Sequence, residues 1–188
     1  MANEHIRCEK KALRSSLEYW VIKKMSKQIA QNLFETKMFK EASHVAYYLP
    51  IGGEVDTQWL TQRSAGKDFY LPLVNKASDG LAFAKADATS DYKKNKFGIL
   101  EPVEADYVTL GTLDLVVTPL VSYDNEGNRL GMGGGYYDRT FAYKKGQKSK
   151  PLLIGYAYSF QYSNAIKAQD WDVPLDGVVT EKGFSLFK

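Results

Sequence analysis

The run "RLGMGGGYYDR", residues 129 to 139, sets Gly131, Gly133, Gly134 and Gly135 within five positions, follows them with Tyr136, Tyr137 and Asp138, and lies between Arg129 and Arg139. Glycine has no Cβ, so such a run tolerates positive φ and lets a ligand lie directly on amide N–H groups. Between a strand and a helix, it would aim unpaired N–H groups and a helix start at one point, as phosphate sites do. No Lys-Ser or Lys-Thr closes the run, so it is not a Walker-type loop. Two arginines can offer forked donors to phosphate, and Asp138 is a hard oxygen ligand suited to Mg²⁺. Glycine content alone fits a tight strand-to-helix turn equally well, and each charged neighbour alone fits a surface ion pair.

Elements must hold this run in place. Apolar residues recur every four positions at Leu13, Leu17, Val21, Met25, Ile29 and Leu33, which predicts one or two amphipathic helices, with Ser26 able to cap a second. "HVAYYLP" reads as a buried strand stopped by Pro50 and the Gly52-Gly53 pair, and Asp56 is placed to cap a helix over "TQWLTQR". Further strands are predicted at "DFYLPLV", "LAFAK", "LDLVVTPLVS", "LLIGYAYS" and "DGVVTE", several with the continuous apolar character of strands covered on both faces. The expectation is a single three-layer, Rossmann-like α/β domain over residues 1–188, with a central, mostly parallel sheet flanked by helices. Two lysine-rich stretches, "ATSDYKKNKFG" and "AYKKGQKSKP", read as polar linkers. Lys144, Lys145, Lys148 and Lys150 in the second suit either a solvated charge run or a lid over a nucleotide.

Composition narrows the class. A hydrophobic content of 44% over 188 residues supports one packed core and argues against disorder. The net charge of +3 allows an anionic small molecule but falls short of a nucleic-acid-binding balance, so no nucleic acid is expected. Cys8 is the only cysteine, which excludes an intramolecular disulfide and a cysteine-based zinc site and suits a reducing cytoplasm. No window approaches the apolar length of a membrane helix, and the opening "MANEHIRCEKK" has no apolar h-region, so neither membrane insertion nor secretion is expected.

The stretch "GNRLGMGGGYYDR" resembles the ATP loop of the 5-formyltetrahydrofolate cyclo-ligase (methenyltetrahydrofolate synthetase) family. "KKALR", "YLPIGGEVDT", "FGILEP" and "DVPLDGVVTE" resemble further family segments in the same order, so the likeness spans nearly the whole chain. The chain departs from the pattern at Trp171, where a histidine is common, at Met132 and Gly134, where some relatives carry basic residues, and in "TPLVSYD" before the loop.

The resemblance implies that Lys10 and Arg14, an i, i+4 pair on the first helix, bind ATP phosphates together with Arg129, Leu130, Gly131, Met132, Gly133, Gly134, Gly135, Tyr136 and Tyr137. It implies that Leu49, Glu54 and Tyr136 contact the folate, the carboxylate receiving paired N–H donors of the pterin edge. Asp138 and Asp172 match the family's Mg²⁺ ligands, with Asp176 an open competitor for the second place. Tyr137 and Arg129 are the expected catalytic groups. The reaction so implied is ATP-dependent cyclisation of 5-formyltetrahydrofolate, in mono- or polyglutamylated form, and a monomeric cytoplasmic enzyme is expected. A non-catalytic nucleotide-binding relative is the alternative.

Overall fold

The computed structural model describes residues 2–62, 66–75, 79–86, 91–95, 98, 100–103, 106–147 and 149–187; Phe97, Ile99 and Lys148 lie outside the described residues. The helices are α1 (Ala2–Ser15), α2 (Tyr19–Glu35), α3 (Lys37–Glu41), α4 (Gln58–Gln62) and α5 (Tyr136–Phe141). The main strands are β1 (His44–Ala46), β2 (Asp68–Asn75), β3 (Gly80–Lys85), β6 (Tyr107–Val108), β7 (Leu115–Thr118), β10 (Leu152–Tyr156), β11 (Gly177–Thr180) and β12 (Gly183–Leu186). Two small hairpins, β4 (Tyr92–Lys94) with β5 (Leu100–Pro102) and β8 (Ser122–Tyr123) with β9 (Arg129–Leu130), stand apart.

The main sheet runs β12-β11-β10-β7-β1-β2-β3-β6. From β11 to β2 every neighbour is parallel; β12, β3 and β6 extend the sheet by antiparallel pairing at its margins. Successive side chains of a strand point to opposite faces. Accordingly Val45, Phe69, Leu115, Val117, Ile154 and Val179 join Ile29, Ala30 and Leu33 of α2 in one core, while Ala46, Tyr70, Val116, Leu153 and Val178 join Phe141 of α5 in another. That double burial is why these strands read as continuous apolar runs.

Two sequence expectations are corrected. Ser26 caps no helix, because the break falls earlier, between α1 and α2, and Glu18 occupies the cap position. Buried inside α2, Ser26 instead accepts the Asp56 amide with its hydroxyl at 2.8 Å. "LDLVVTPLVS" is not one strand feeding the glycine run. Pro119, which lacks an N–H, ends the ladder after β7, and β8–β9 intervenes. Its turn is closed by Asp124, whose Oδ1 accepts the amides of Glu126 and Asn128, both at 2.9 Å. The Asp56 expectation agrees with the structure: its Oδ1 accepts the Gln58 amide at 3.0 Å at the start of α4.

Candidate active site

From β1 the chain passes to β2 on one side, and from β7 it passes to β10 and β11 on the other. The seam between the carboxyl ends of β1 and β7 is therefore the topological switch point, where open parallel sheets leave a ligand crevice. Both segments entering it come from stretches singled out above: residues 48–54 follow β1, and the glycine run follows β7 by way of the β8–β9 hairpin.

Residues 51–54 turn tightly. Gly52 and Gly53 take φ of +54° and +76°, the Glu54 amide donates to the Ile51 carbonyl at 3.1 Å, and Glu54 Oε2 accepts the Ile51 amide at 3.1 Å. A Cβ on Gly53 would stand 2.9 Å from the Arg14 carbonyl, so the end of α1 packs directly on this turn. Arg14 then spans the seam: Nε donates to Gly52 O at 2.9 Å, and Nη1 donates to Leu120 O at 3.4 Å while lying 3.7 Å from Glu54 Oε1. Arg14 is 3% exposed and Glu54 8%, so the pair is buried. Desolvation raises the Glu54 pKa above its ordinary value, and the Ile51 amide and the Arg14 charge only partly offset it.

Tyrosines line the same place. Tyr158 donates to Gly53 O at 3.3 Å, and burial pushes its pKa up to about 12. Tyr48, fully enclosed, donates to Val55 O at 3.0 Å. Tyr137 packs on Phe141 with ring centroids 6.3 Å apart. Desolvation drives its phenol pKa strongly upward and the nearby Glu54 charge adds to the effect, with Arg129 opposing, so Tyr137 stays a neutral donor. Leu49, half-buried, sits between Tyr48 and the turn.

In the glycine run, Gly133 and Gly135 have φ of +94° and +65°, and a Cβ on Gly131 or Gly133 would meet nothing within 4 Å. The amides of Met132, Gly133, Gly134 and Gly135 donate no hydrogen bond among the described residues. Met132 is exposed, and Leu130 packs with Ile6 of α1 and Ile166. Arg7 of α1 donates from Nε to Gly131 O at 3.0 Å, and Arg139 donates from Nη2 to Gly134 O at 2.8 Å. The Arg139 guanidinium also lies 5.1 Å from the Tyr136 ring centroid. Buried Arg129 is committed elsewhere, donating Nη1 to Val173 O and Nη2 to Asp138 Oδ1 at 2.9 Å. Lys10 lies one turn before Arg14 and pairs with Glu9 at 3.1 Å.

Asp138 Oδ1 also accepts the Val173 amide at 3.1 Å, which binds the start of α5 to the segment carrying Asp172. Asp172 Oδ2 accepts the Gln169 amide at 2.9 Å. Each carboxylate keeps one oxygen without a hydrogen bond among the described residues. Mg²⁺ takes one or two carboxylates and completes its shell with phosphate and water, so two carboxylate oxygens left without a hydrogen bond have the donor chemistry such an ion would need. Asp176 is committed at the opposite end of the sheet, just before β11, accepting the Leu153 amide at 2.7 Å and pairing with buried Lys144 at 3.5 Å. Lys150 likewise pairs with Asp114, just before β7, at 2.6 Å. Lys144 and Lys150 thus fasten the amino ends of strands and form no lid over the carboxyl ends.

Among groups without a prior sequence signal, Arg7, Tyr158 and Gln161 belong to the site's frame. Gln161 is buried; its Nε2 donates to Leu120 O and Val121 O, both at 2.9 Å, fixing the chain between β7 and β8.

Known proteins resemble this chain along most of its length. Residues 2–181 match the pattern of the 5-formyltetrahydrofolate cyclo-ligase family. The chain belongs to that family. It is 38% identical over 161 residues to the 5-formyltetrahydrofolate cyclo-ligase of Escherichia coli K12, covering 83% of this chain and 87% of that one. The Haemophilus influenzae cyclo-ligase is 33% identical over 177 residues, covering 92% and 94%. The solved Aquifex aeolicus 5,10-methenyltetrahydrofolate synthetase superposes with a TM-score of 0.86 at 33% identity, over 100% of this chain and 94% of that one. Membership makes the chain an enzyme of the cyclo-ligase class. Among the described residues, no helix is long and apolar enough to cross a membrane.

Proposed function

We propose that this cyclo-ligase converts 5-formyltetrahydrofolate and ATP to 5,10-methenyltetrahydrofolate, ADP and phosphate, with Glu54 holding the pterin and the glycine run holding the triphosphate. The observation that carries this reading is the buried Arg14–Glu54 pair lying across the switch point from which the unpaired amides of residues 132–135 also rise. A folate monoglutamate or polyglutamate is a small anionic substrate, consistent with a crevice lined by Arg14 and nearby amides. The enzyme acts as a monomer in the cytoplasm.

The N5-formyl group is an amide, a weak electrophile whose oxygen leaves poorly. In the proposed reaction the formyl oxygen attacks the γ-phosphorus, expelling ADP and leaving an N5 iminium phosphate. N10 then attacks the iminium carbon and loses its proton, and phosphate departs with the former formyl oxygen. The chain's task is alignment and charge neutralisation, as in other phosphoryl transfers. Glu54 accepts the paired N–H donors of the pterin edge, and Leu49 packs on the ring. The amides of Met132, Gly133, Gly134 and Gly135 hold phosphate oxygens, with Lys10 and Arg14 supplying positive charge from α1. Tyr137, held neutral by burial, donates toward the formyl oxygen, and the Tyr136 ring covers the folate. Arg129 acts by holding Asp138. Asp138 and Asp172 would hold Mg²⁺, which when bound spreads charge on the phosphates.

The test is spectrophotometric: methenyltetrahydrofolate absorbance should rise only with ATP and 5-formyltetrahydrofolate together. Product formation without ATP, or ATP binding without any product, would overturn the reading.

A further inference from the structure

Arg7 and Arg139 reach the glycine run from two different helices, one from α1 and one from α5, and make the same contact. Each donates to a loop carbonyl, Gly131 O at 3.0 Å and Gly134 O at 2.8 Å. Each is itself anchored by an acid. Arg7 Nη1 pairs with Glu4; Arg139 Nε donates to Asp79 O at 2.6 Å and lies 3.3 Å from Asp79 Oδ2. Gly135 makes room for the second contact, because a Cβ there would stand 2.6 Å from Arg139 Nη1.

The two carbonyls belong to the peptide units that carry the Met132 and Gly135 amides, and both units are trans. In a trans peptide the C=O and the N–H point in opposite directions. An arginine that draws the carbonyl toward itself therefore turns the amide of the same unit away from itself. Those amides are unpaired among the described residues, in a run whose glycines carry no Cβ to restrict the peptide planes.

We infer that Arg7 and Arg139 are positioning residues that set the peptide planes 131–132 and 134–135, so that the Met132 and Gly135 N–H groups face the triphosphate before it arrives. The inference rests on the ATP reading above. In this account neither arginine touches phosphate. Each acts through the backbone, and preorganised amides bind an anion without the cost of ordering the loop at that moment.

The full chain carrying Arg7→Ala or Arg139→Ala tests this. Each variant is expected to raise the KM for ATP about tenfold, the worth of one charge-assisted amide contact, with the KM for 5-formyltetrahydrofolate unchanged. Because both ion pairs lie near the surface, where such pairs add little stability, thermal midpoints should stay close to wild type. The decisive readout is the backbone ¹⁵N–¹H signals of Met132 and Gly135 during titration with Mg-ATP: shifts seen in wild type should be lost or much reduced in the variants. Full-sized shifts in the variants overturn the inference even if ATP affinity falls, since that pattern marks a direct phosphate contact. Wild-type protein without any ATP-induced shift overturns the ATP reading and the inference together. Should an alanine variant fail to fold, Arg7→Met and Arg139→Met, which keep an apolar stem but offer the loop carbonyls no donor, are expected to act in the same direction, and normal ATP shifts in both would overturn the inference.

Discussion

Arg14 and Glu54, forty positions apart, meet at 3.7 Å with both side chains buried over the seam between β1 and β7. The contact joins the first helix to the turn after the first strand and makes one electrostatic unit of the crevice floor.

Arg14→Ala should therefore cost about 3 kcal/mol, because it strands a buried carboxylate without its counter-charge. The double variant Arg14→Ala with Glu54→Gln should recover part of that loss, since a neutral amide is cheaper to bury. Urea unfolding of the four proteins in the cycle measures the coupling, and strictly additive losses would contradict it.

Glu54→Gln alone separates substrate binding from stability. Its expected kinetic effect is a raised KM for the folate with little change in the KM for ATP. Its pH signature follows from the sign of the shift. The folded pKa of Glu54 lies above the ordinary 4.5, so the stability of the protonated form is present below that value and is lost as pH rises through the folded pKa. The Gln variant lacks this term, so its advantage over wild type should grow as pH rises from 4.5, as read by denaturant midpoints at stepped pH.

Asp114 gives the opposite slope. Desolvation works to raise its pKa, but the Lys150 ammonium and the amides of His44 and Ser43 outweigh it and hold the value at about 2. A depressed folded pKa contributes stability that is present above the unfolded value and lost as pH falls through the folded one. Thermal midpoints should therefore drop between about pH 4 and pH 2, and Asp114→Asn should flatten that acid limb.

Gly131 and Gly135 should answer differently to alanine. Gly131 has no positive φ and open space at its Cβ position, so Gly131→Ala should leave the thermal midpoint unchanged while raising the KM for ATP by crowding the amides. Gly135 adopts φ +65°, and its Cβ would strike Arg139, so Gly135→Ala should cost about 1–2 kcal/mol from the left-handed backbone as well. Equal stability of the two variants would refute the distinction.

What could be read from the sequence was local. The glycine run, the Gly52-Gly53 turn and the Asp56 cap are set by residues within a few positions of one another, and the buried strands announce themselves because both faces of the sheet are covered. What escaped depends on long-range meetings. The carbonyl ligands of Arg7 and Arg14 lie up to 124 residues away, and Gln161 reaches back about forty to Leu120 and Val121. The β8–β9 hairpin was hidden because its four paired residues are too few to show a period. Resemblance to the family supplied Glu54 and Asp172 as candidates; pattern alone left Asp176 open beside Asp172, and the fold puts Asp176 at the amino end of β11, bound to the Leu153 amide and Lys144.

The reach of Arg14 also bears on how the molecule assembles. Its two carbonyl partners lie 38 and 106 residues further along, so the crevice floor cannot close until the chain well past its midpoint has folded back onto the opening helix. Contacts of that span carry the greatest loop-closure cost and form late. Ligands should accordingly slow unfolding of the finished protein far more than they hasten its folding.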